Sequence, residues 1–503
     1  MAPARTEDLV SDLPQTISTK IKSVVSEQIT PLDLAPPTLP TEKIGPMGYV
    51  RTLLHFELPD GYDGEKLAKI FKQAYTAFKE RTPIAGCEIV PAPTYAEDGE
   101  LQLRYYGDEL EHDFAVKDLR DQEFPSYAEL KSRGFPSSAL KPDLVCQRGQ
   151  GGEWPTAGQR LPNTLMQVNL VNGGLILNML FFHAYIDGAT IYKFTEIISE
   201  EVRRAQGLAI TNPVEIPVED RAKLVKASGG FSGAAEDHPE YLELPFTPQA
   251  PPPKLSSPIA HGHVFYFSPE KLQALKELAA PSNAKLFKGT DKVPSFISTT
   301  DALTALIWRC TMLAQHKNSE SEDRPKGTSM IGLALDCRRR TNQTVHPYTI
   351  GNILGFAPAV LDIESVLQEE EVSLADIALI VRGAINKSNE GYLDSVAAMV
   401  ERAENPYRFV PTFFLDMPGA HGLVSSWREF SFYDLQWGPL LGDKTQAIRF
   451  PSTGVTHCMQ ILLPSRPEAG PGIEAYVNTE NNAMERLLND PLWTEFAQGP
   501  ESA

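Results

Sequence analysis

The sequence lacks the features that mark several large classes of protein. It has no run of about 18 or more apolar residues, so no transmembrane helix is expected. Met1 to Val10 carries Glu7 and Asp8 and has no apolar centre of the kind a signal peptide needs. Cysteine is scarce, with five in 503 residues, at Cys87, Cys146, Cys310, Cys337 and Cys458, and no C-x-x-C spacing. An odd, widely scattered set suits free thiols in a reducing compartment better than a disulfide or zinc framework, so the cytosol is the expected location. Basic residues are outnumbered 46 to 65, for a net charge of −19. That balance argues against a nucleic-acid binder, which presents a basic face, but leaves room for a local basic patch. The patterns G-x-x-x-x-G-K-[ST], G-x-G-x-x-G and G-x-S-x-G are all missing. A P-loop, a dinucleotide-binding fold and a serine hydrolase therefore find no support. No repeat of 20–50 residues is visible.

What is present is an ordinary globular composition, 42% hydrophobic and 22% charged, at a length that suggests two large domains. After a Pro- and Thr-rich lead-in of about 45 residues, the alternation of Val50, Thr52, Leu54 and Phe56 predicts a half-buried strand. Leu67, Ile70, Phe71, Ala74 and Phe78 predict a helix. Residues 165–171 and 175–182 flank an Asn-Gly-Gly turn and predict a hairpin, followed by a helix from Ala189 to Ala205. Residues 227–258 hold Ser-Gly-Gly, Ser-Gly and six prolines between Pro245 and Pro258, a linker composition too Pro-rich for a packed element. Beyond it a strand at His263 to Phe267, a helix at Pro269 to Leu278, and a helix capped by Ser298-Thr299-Thr300-Asp301 are expected. A strand over 329–335 follows. The expected organisation is two halves of mixed α/β character, 1–226 and 259–503, joined by 227–258.

Chemistry shows at one place, Phe181-Phe182-His183-Ala184-Tyr185-Ile186-Asp187-Gly188. An apolar strand ends, a titratable pair appears within four residues, and Gly188 opens a turn into a helix. A side chain there is held by rigid elements yet open at one edge. Histidine's unperturbed pKa of ~6.5 lets it take a proton near neutral pH and return it. A lone H-x-x-x-D also arises by chance, and one His with one Asp supplies at most two metal ligands, so no metal site is expected.

Five segments in order resemble the BAHD acyltransferases, the coenzyme-A-dependent family that includes fungal trichothecene acetyltransferases. They are His183-x-x-x-Asp187-Gly188, STTDALTALIWRC at 298–310, and the Asp336, Arg338, Arg340, Pro347, Tyr348, Gly351, Asn352 stretch. SSWREFSFYDLQWG at 425–438 and GIEAYVNTENNAM at 472–484 complete the set. One departure is clear: the family's D-F-G-W-G is here Asp434-Leu435-Gln436-Trp437-Gly438. The resemblance implies two chloramphenicol-acetyltransferase-like α/β domains, each a mixed sheet with flanking helices, around a channel. It also implies a monomer that takes acyl-CoA as co-substrate and a small secondary-metabolite acceptor, with His183 as general base. It implies that Asp187 supports the loop by pairing with Arg338 rather than relaying a proton, and that Gly188 permits the turn, where a Cβ would clash or strain the backbone. Ser425 and Ser426 are candidate coenzyme or oxyanion hydrogen bonders, and Trp437 is either an oxyanion donor or core. Among basic residues of the second half, Arg338, Lys444 and Arg449 are the chosen candidates for the coenzyme phosphates, with Arg339, Arg340 and Arg428 also available. Transfer from a carrier-protein thioester, or a member of the fold that binds or cyclises without transfer, stays open at this stage.

Overall fold

The structure, a computed structural model, describes residues 36–106, 113–148, 154–252, 260–288, 294–316, 326–368, 370–453 and 459–499. Cys458, residues 253–258 of the expected linker and most of the lead-in lie outside the described residues. Two mixed sheets carry the fold. Their strands are β1 (Tyr49–Glu57), β2 (Phe114–Asp118), β3 (Thr164–Val171), β4 (Gly174–Phe182), β5 (Ala260–Phe267) and β6 (Thr328–Asp336). They continue with β7 (Leu354–Asp362), β8 (His421–Ser426), β9 (Ala447–Arg449), β10 (Met459–Leu462) and β11 (Ile473–Glu480). The principal helices are α1 (Gly64–Arg81), α2 (Gly188–Ala205), α3 (Thr299–His316), α4 (Leu374–Lys387) and α5 (Tyr392–Arg402). The first sheet runs β9-β1-β4-β3-β2 and the second β7-β6-β8-β10-β11-β5.

Local sequence accounts for most of these elements. β3 and β4 form the expected hairpin, in register from Thr164 opposite Phe181 to Val171 opposite Gly174. Gly173 supplies the positive φ of +74° that the tight turn demands. α3 begins where Ser298 and Asp301 exchange hydrogen bonds, the backbone N of Ser298 to Asp301 Oδ2 and the N of Asp301 to Ser298 Oγ.

Three expectations are corrected. β1 is buried on both faces rather than one, because a core packs against each face of its sheet. Leu54 and Phe56 enter the large core with Phe71 and Phe78 of α1, while Leu53 joins a smaller cluster with Tyr127, Leu130 and Phe135. The division at 259 is not clean: β9, from the second half, pairs with β1 through Leu53 opposite Arg449 and His55 opposite Ala447. The linker is not structureless, for Tyr241–Glu243 pairs with Phe409–Pro411 and buries Tyr241 against Phe356. Backbone pairing to a partner 170 residues away is invisible in local composition.

Candidate active site

His183 follows the last residue of β4, and its backbone N–H donates to Gly48 O at 2.8 Å, just ahead of β1. Its imidazole is half-buried. Nδ1 lies 3.0 Å from the carbonyl oxygen of Ile186. A carbonyl only accepts, so this contact places the proton on Nδ1 and leaves Nε2 as the basic nitrogen. Although part of the ring is open to solvent, the dense surroundings lower its pKa below 6.5; the Ile186 bond and the charge of Asp187 offset this burial effect in part. The imidazole is therefore largely neutral, and able to accept a proton, at pH 7.

Asp187 does not hydrogen-bond to His183. Its carboxylate is the N-cap of α2, accepting from Thr190 N at 2.8 Å, and also accepts from Ile353 N at 2.8 Å. Arg338 grips it with two nitrogens, Nη1 to Oδ2 at 2.9 Å and Nη2 to Oδ1 at 3.1 Å, in a pair whose side chains are 1% and 3% exposed. Arg338 further donates to Thr349 O, Asp336 Oδ1 and Thr190 Oγ1. Burial alone would discharge this guanidinium, but Asp187 and Asp336 more than restore it, holding its pKa above the usual arginine value. The expected contact between Asp187 and Arg338 is thus present, and it ties the His183 loop to the second half.

Gly188 corrects the sequence reading. Its φ is not positive, and a Cβ there would meet Phe430 and Trp427 Nε1 at 3.5 Å, ordinary van der Waals contact. The glycine is not forced by the backbone; it leaves open space beside two aromatic rings. A tight glycine does exist nearby, at Gly45, where a Cβ would sit 2.7 Å from Asn352 Nδ2 and 2.9 Å from Ala184 O.

Two of the expected coenzyme-phosphate residues are corrected as well. Arg338 is spent on Asp187 and Asp336. Arg449 is fully buried, paired with Glu474 at 2.9 Å and donating to the carbonyls of Phe135 and Gly134. Burial alone would raise the pKa of Glu474; Arg449 and Arg466 overcome that and hold it below the usual range. Both guanidiniums are buried and committed, Arg338 to Asp187 and Arg449 to Glu474, so neither presents a charge to a ligand. Lys444 is half-exposed beside Asp434 at 3.9 Å. It lies near the Glu57 end of β1, since Gln446 bonds to His55 O. Its distance from the Tyr49 end, which pairs with Phe182 beside His183, follows from the strand rise of ~3.3 Å per residue: more than ~20 Å. Trp437 lies at that same far end, buried against Phe56 with ring centroids 5.0 Å apart, so it is core and not an oxyanion donor. Arg340 donates to Ser388 O, and Arg339 is exposed. Arg428 is half-buried and donates to Thr300 Oγ1 at the start of α3.

Ser425 and Ser426 end β8, the first half-buried and the second exposed, directly before Trp427. Trp427 lies in the family-like 425–438 segment, and nothing in the sequence assigned it a role of its own. It is only 4% exposed, stacks on Phe432, packs edge-on to Phe430 and Phe450, and brings its indole Nε1 to Gly188. Its position one residue after Ser425-Ser426 was the available signal. Asn352, named in the sequence only as part of the family-like stretch, donates from Nδ2 to His183 O at 2.8 Å and Ala184 O at 3.3 Å.

Comparison with known proteins places the chain in a family. Residues 155–492 match the profile described as the Transferase family, and residues 49–201 match the trichothecene 3-O-acetyltransferase-like N-terminal domain. The eremophilane O-acetyltransferase of Penicillium rubens is 28% identical over 400 residues, 74% of this chain and 78% of that protein. The trichothecene 3-O-acetyltransferase of Fusarium sporotrichioides is 25% identical over 398 residues, 76% of this chain and 79% of that one. An enoyl-CoA isomerase/hydratase of Penicillium crustosum is 24% identical over 92% of this chain, which spans only 50% of that protein's length. Among solved structures, Fusarium graminearum TRI101 complexed with coenzyme A and T-2 mycotoxin shares the fold, with a TM-score of 0.73 at 18% identity over 93% of this chain and 99% of that one. Vinorine synthase does so with a TM-score of 0.61 at 16% identity, over 98% and 97% of the two chains. With a family profile matched over more than half its length, this chain belongs to the Transferase family, the BAHD acyltransferases.

Proposed function

We propose that the protein transfers an acyl group directly from acyl-coenzyme A to a hydroxyl, or an amine, of a small secondary metabolite. The observation that carries this reading is the Nδ1 bond to Ile186 O, which leaves a neutral Nε2 as base in a loop clamped between the two halves. Nε2 takes the acceptor proton as the oxygen attacks the thioester carbonyl. The tetrahedral intermediate collapses, the C–S bond breaks, and the imidazolium returns its proton to the leaving thiolate. No bond to the enzyme forms, and His183 ends as it began. Trp427, whose indole Nε1 lies beside Gly188, would supply a donor for negative charge developing on the carbonyl oxygen. Asp187 holds the loop and takes no proton.

The names of the relatives support an acetyl donor and a terpenoid-like acceptor. Arg339 and Arg428, which have no carboxylate hydrogen-bonded to them among the described residues, suit the coenzyme phosphates better than Arg338 or Arg449. The four described cysteines are buried thiols, which supports a reducing, cytosolic setting. The test is incubation of the protein and its His183→Ala variant with acetyl-coenzyme A and a panel of hydroxylated and amine metabolites, following thiol release and product mass. Acceptor-dependent release with an acylated product, lost in folded His183→Ala, is expected. No release with any acceptor and no acetyl-coenzyme A binding would overturn the reading in favour of a carrier-bound donor or a non-transferring role.

A further inference from the structure

The loop that carries His183 is not held by its own half alone. Three consecutive residues of the second half, Gly351-Asn352-Ile353, make contact at successive points along it and the first turn of α2. Thr190 Oγ1 donates to Gly351 O at 2.8 Å and accepts from Gly351 N at 3.1 Å. Asn352 Nδ2 donates to the carbonyls of His183 and Ala184. Ile353 N donates to Asp187 Oδ2. Only the middle contact touches the peptide that bears the imidazole.

We propose that Asn352 is a positioning residue for His183, fixing the peptide plane between His183 and Ala184 so that Nδ1 stays aimed at Ile186 O and Nε2 at the reacting atoms. This rests on the reading of His183 as the base. The Asn352 side chain is itself fixed at both ends. Its Oδ1 accepts from Leu354 N at 3.2 Å, so the amide is oriented with Nδ2 toward the loop. Its backbone N donates to Glu42 Oε1 at 3.2 Å, and its carbonyl accepts from Thr41 Oγ1. Glu42 in turn is held by Arg221 through Nη1 to Oε1 at 2.8 Å and Nη2 to Oε2 at 2.6 Å. The residue is 1% exposed and Ala184 fully buried, so without the Asn352 donor the Ala184 carbonyl has no water to replace it. The neighbouring contact, His183 N to Gly48 O, lies on the preceding peptide, so the His183 carbonyl is held from the other half by Asn352. A base displaced by about 1 Å loses on the order of 10²-fold in rate, while binding of a long co-substrate along the channel is little affected.

The variants Asn352→Ala, Asn352→Asp and Asn352→Ser separate positioning from stability. Asn352→Asp keeps the shape and the acceptor for Leu354 N but turns an oxygen toward two carbonyls, whereas Asn352→Ser keeps a donor. With acetyl-coenzyme A and an acceptor that the panel assay shows to be acylated, folded Ala and Asp variants are expected to lose roughly 10- to 100-fold in kcat with KM for acetyl-coenzyme A within about twofold, and Ser to recover part of the loss. Nitrogen-15 spectra of labelled histidine, with the His183 signal assigned by His183→Gln, should show one Nδ1-protonated tautomer in the parent and averaging in the Ala variant. Folded Ala and Asp variants with unchanged kcat and an unchanged His183 signal would overturn the proposal, as would a lowered melting temperature alone. If none of the three variants folds, Asn352 is a stability element and the proposal falls. His183→Ala, assayed in parallel, keeps the two readings apart: if it stays active, the base assignment fails irrespective of Asn352.

Discussion

Asp187 offers the sharpest test of how this site is built. In the structure its carboxylate accepts four hydrogen bonds: two from Arg338, one from Thr190 N and one from Ile353 N. Asp187→Ala removes all four acceptors and leaves Arg338, 1% exposed, with Asp336 as its remaining carboxylate. Breaking a buried pair by deleting one partner costs ~3–5 kcal/mol. Unfolding entropy near ~2.1 cal/mol/K per residue, over 503 residues, is roughly 1 kcal/mol per kelvin, so the melting temperature should drop by ~3–5 °C if the chain melts as one unit. Asp187→Asn keeps the shape, one carbonyl acceptor and a good N-cap residue, so it should lose less than half as much. The assay is calorimetry of both variants beside thiol release from acetyl-coenzyme A. Asn is expected to retain a tenth or more of parental kcat, and Ala distinctly less. If Asp187→Asn melts like the parent yet is as inactive as His183→Ala, Asp187 takes part in proton transfer and the supporting role is refuted.

The pH dependence of kcat/KM should show an acid limb with an apparent pKa below 6.5, because burial lowers that of His183; an inflection above pH 7 would contradict the environment described. His55, fully buried with Arg449 nearby, has its pKa pushed down to about 3, first by burial and then by that charge. The unfolded chain binds a proton there below ~6.5 that the folded chain refuses, so stability should fall by up to ~1.4 kcal/mol per pH unit between 6.5 and 3, and His55→Gln should flatten that slope in acid titrations. Gly45→Ala should cost ~1–3 kcal/mol and damage activity, since its methyl meets Asn352 Nδ2 and Ala184 O within 3 Å. Gly188→Ala should fold normally and change mainly KM, its methyl entering the space beside Trp427 and Phe430; equal destabilisation by the two would refute the spacing.

The hairpin leading to His183, the helices on either side of it and the capped start of α3 were legible because each is specified by neighbours in sequence: alternation, an Asn-Gly turn, a Ser with an Asp three residues on. Ordered motifs likewise identified the family and singled out His183, Asp187 and Arg338 as a set. Sequence could not show that β9 leaves its own half to pair with β1, since a three-residue strand has no signature and its partner is 390 residues distant. Nor could it separate Arg338 and Arg449, buried against carboxylates, from Arg339, exposed in the same tripeptide as Arg338, because charge type is local while burial is set by what packs against it. Gly188 and Gly45 show the same division. The sequence marked only Gly188 as a turn glycine, yet tertiary contact shows that Gly45 is the one with no room for a methyl. By itself, then, the sequence determined the main secondary elements and the family, and singled out His183 as the candidate base. The tertiary structure alone decided which nitrogen of that base is free, and that Asn352 and Ile353, from the opposite half, hold its loop, because those contacts join residues some 170 positions apart that only folding brings together.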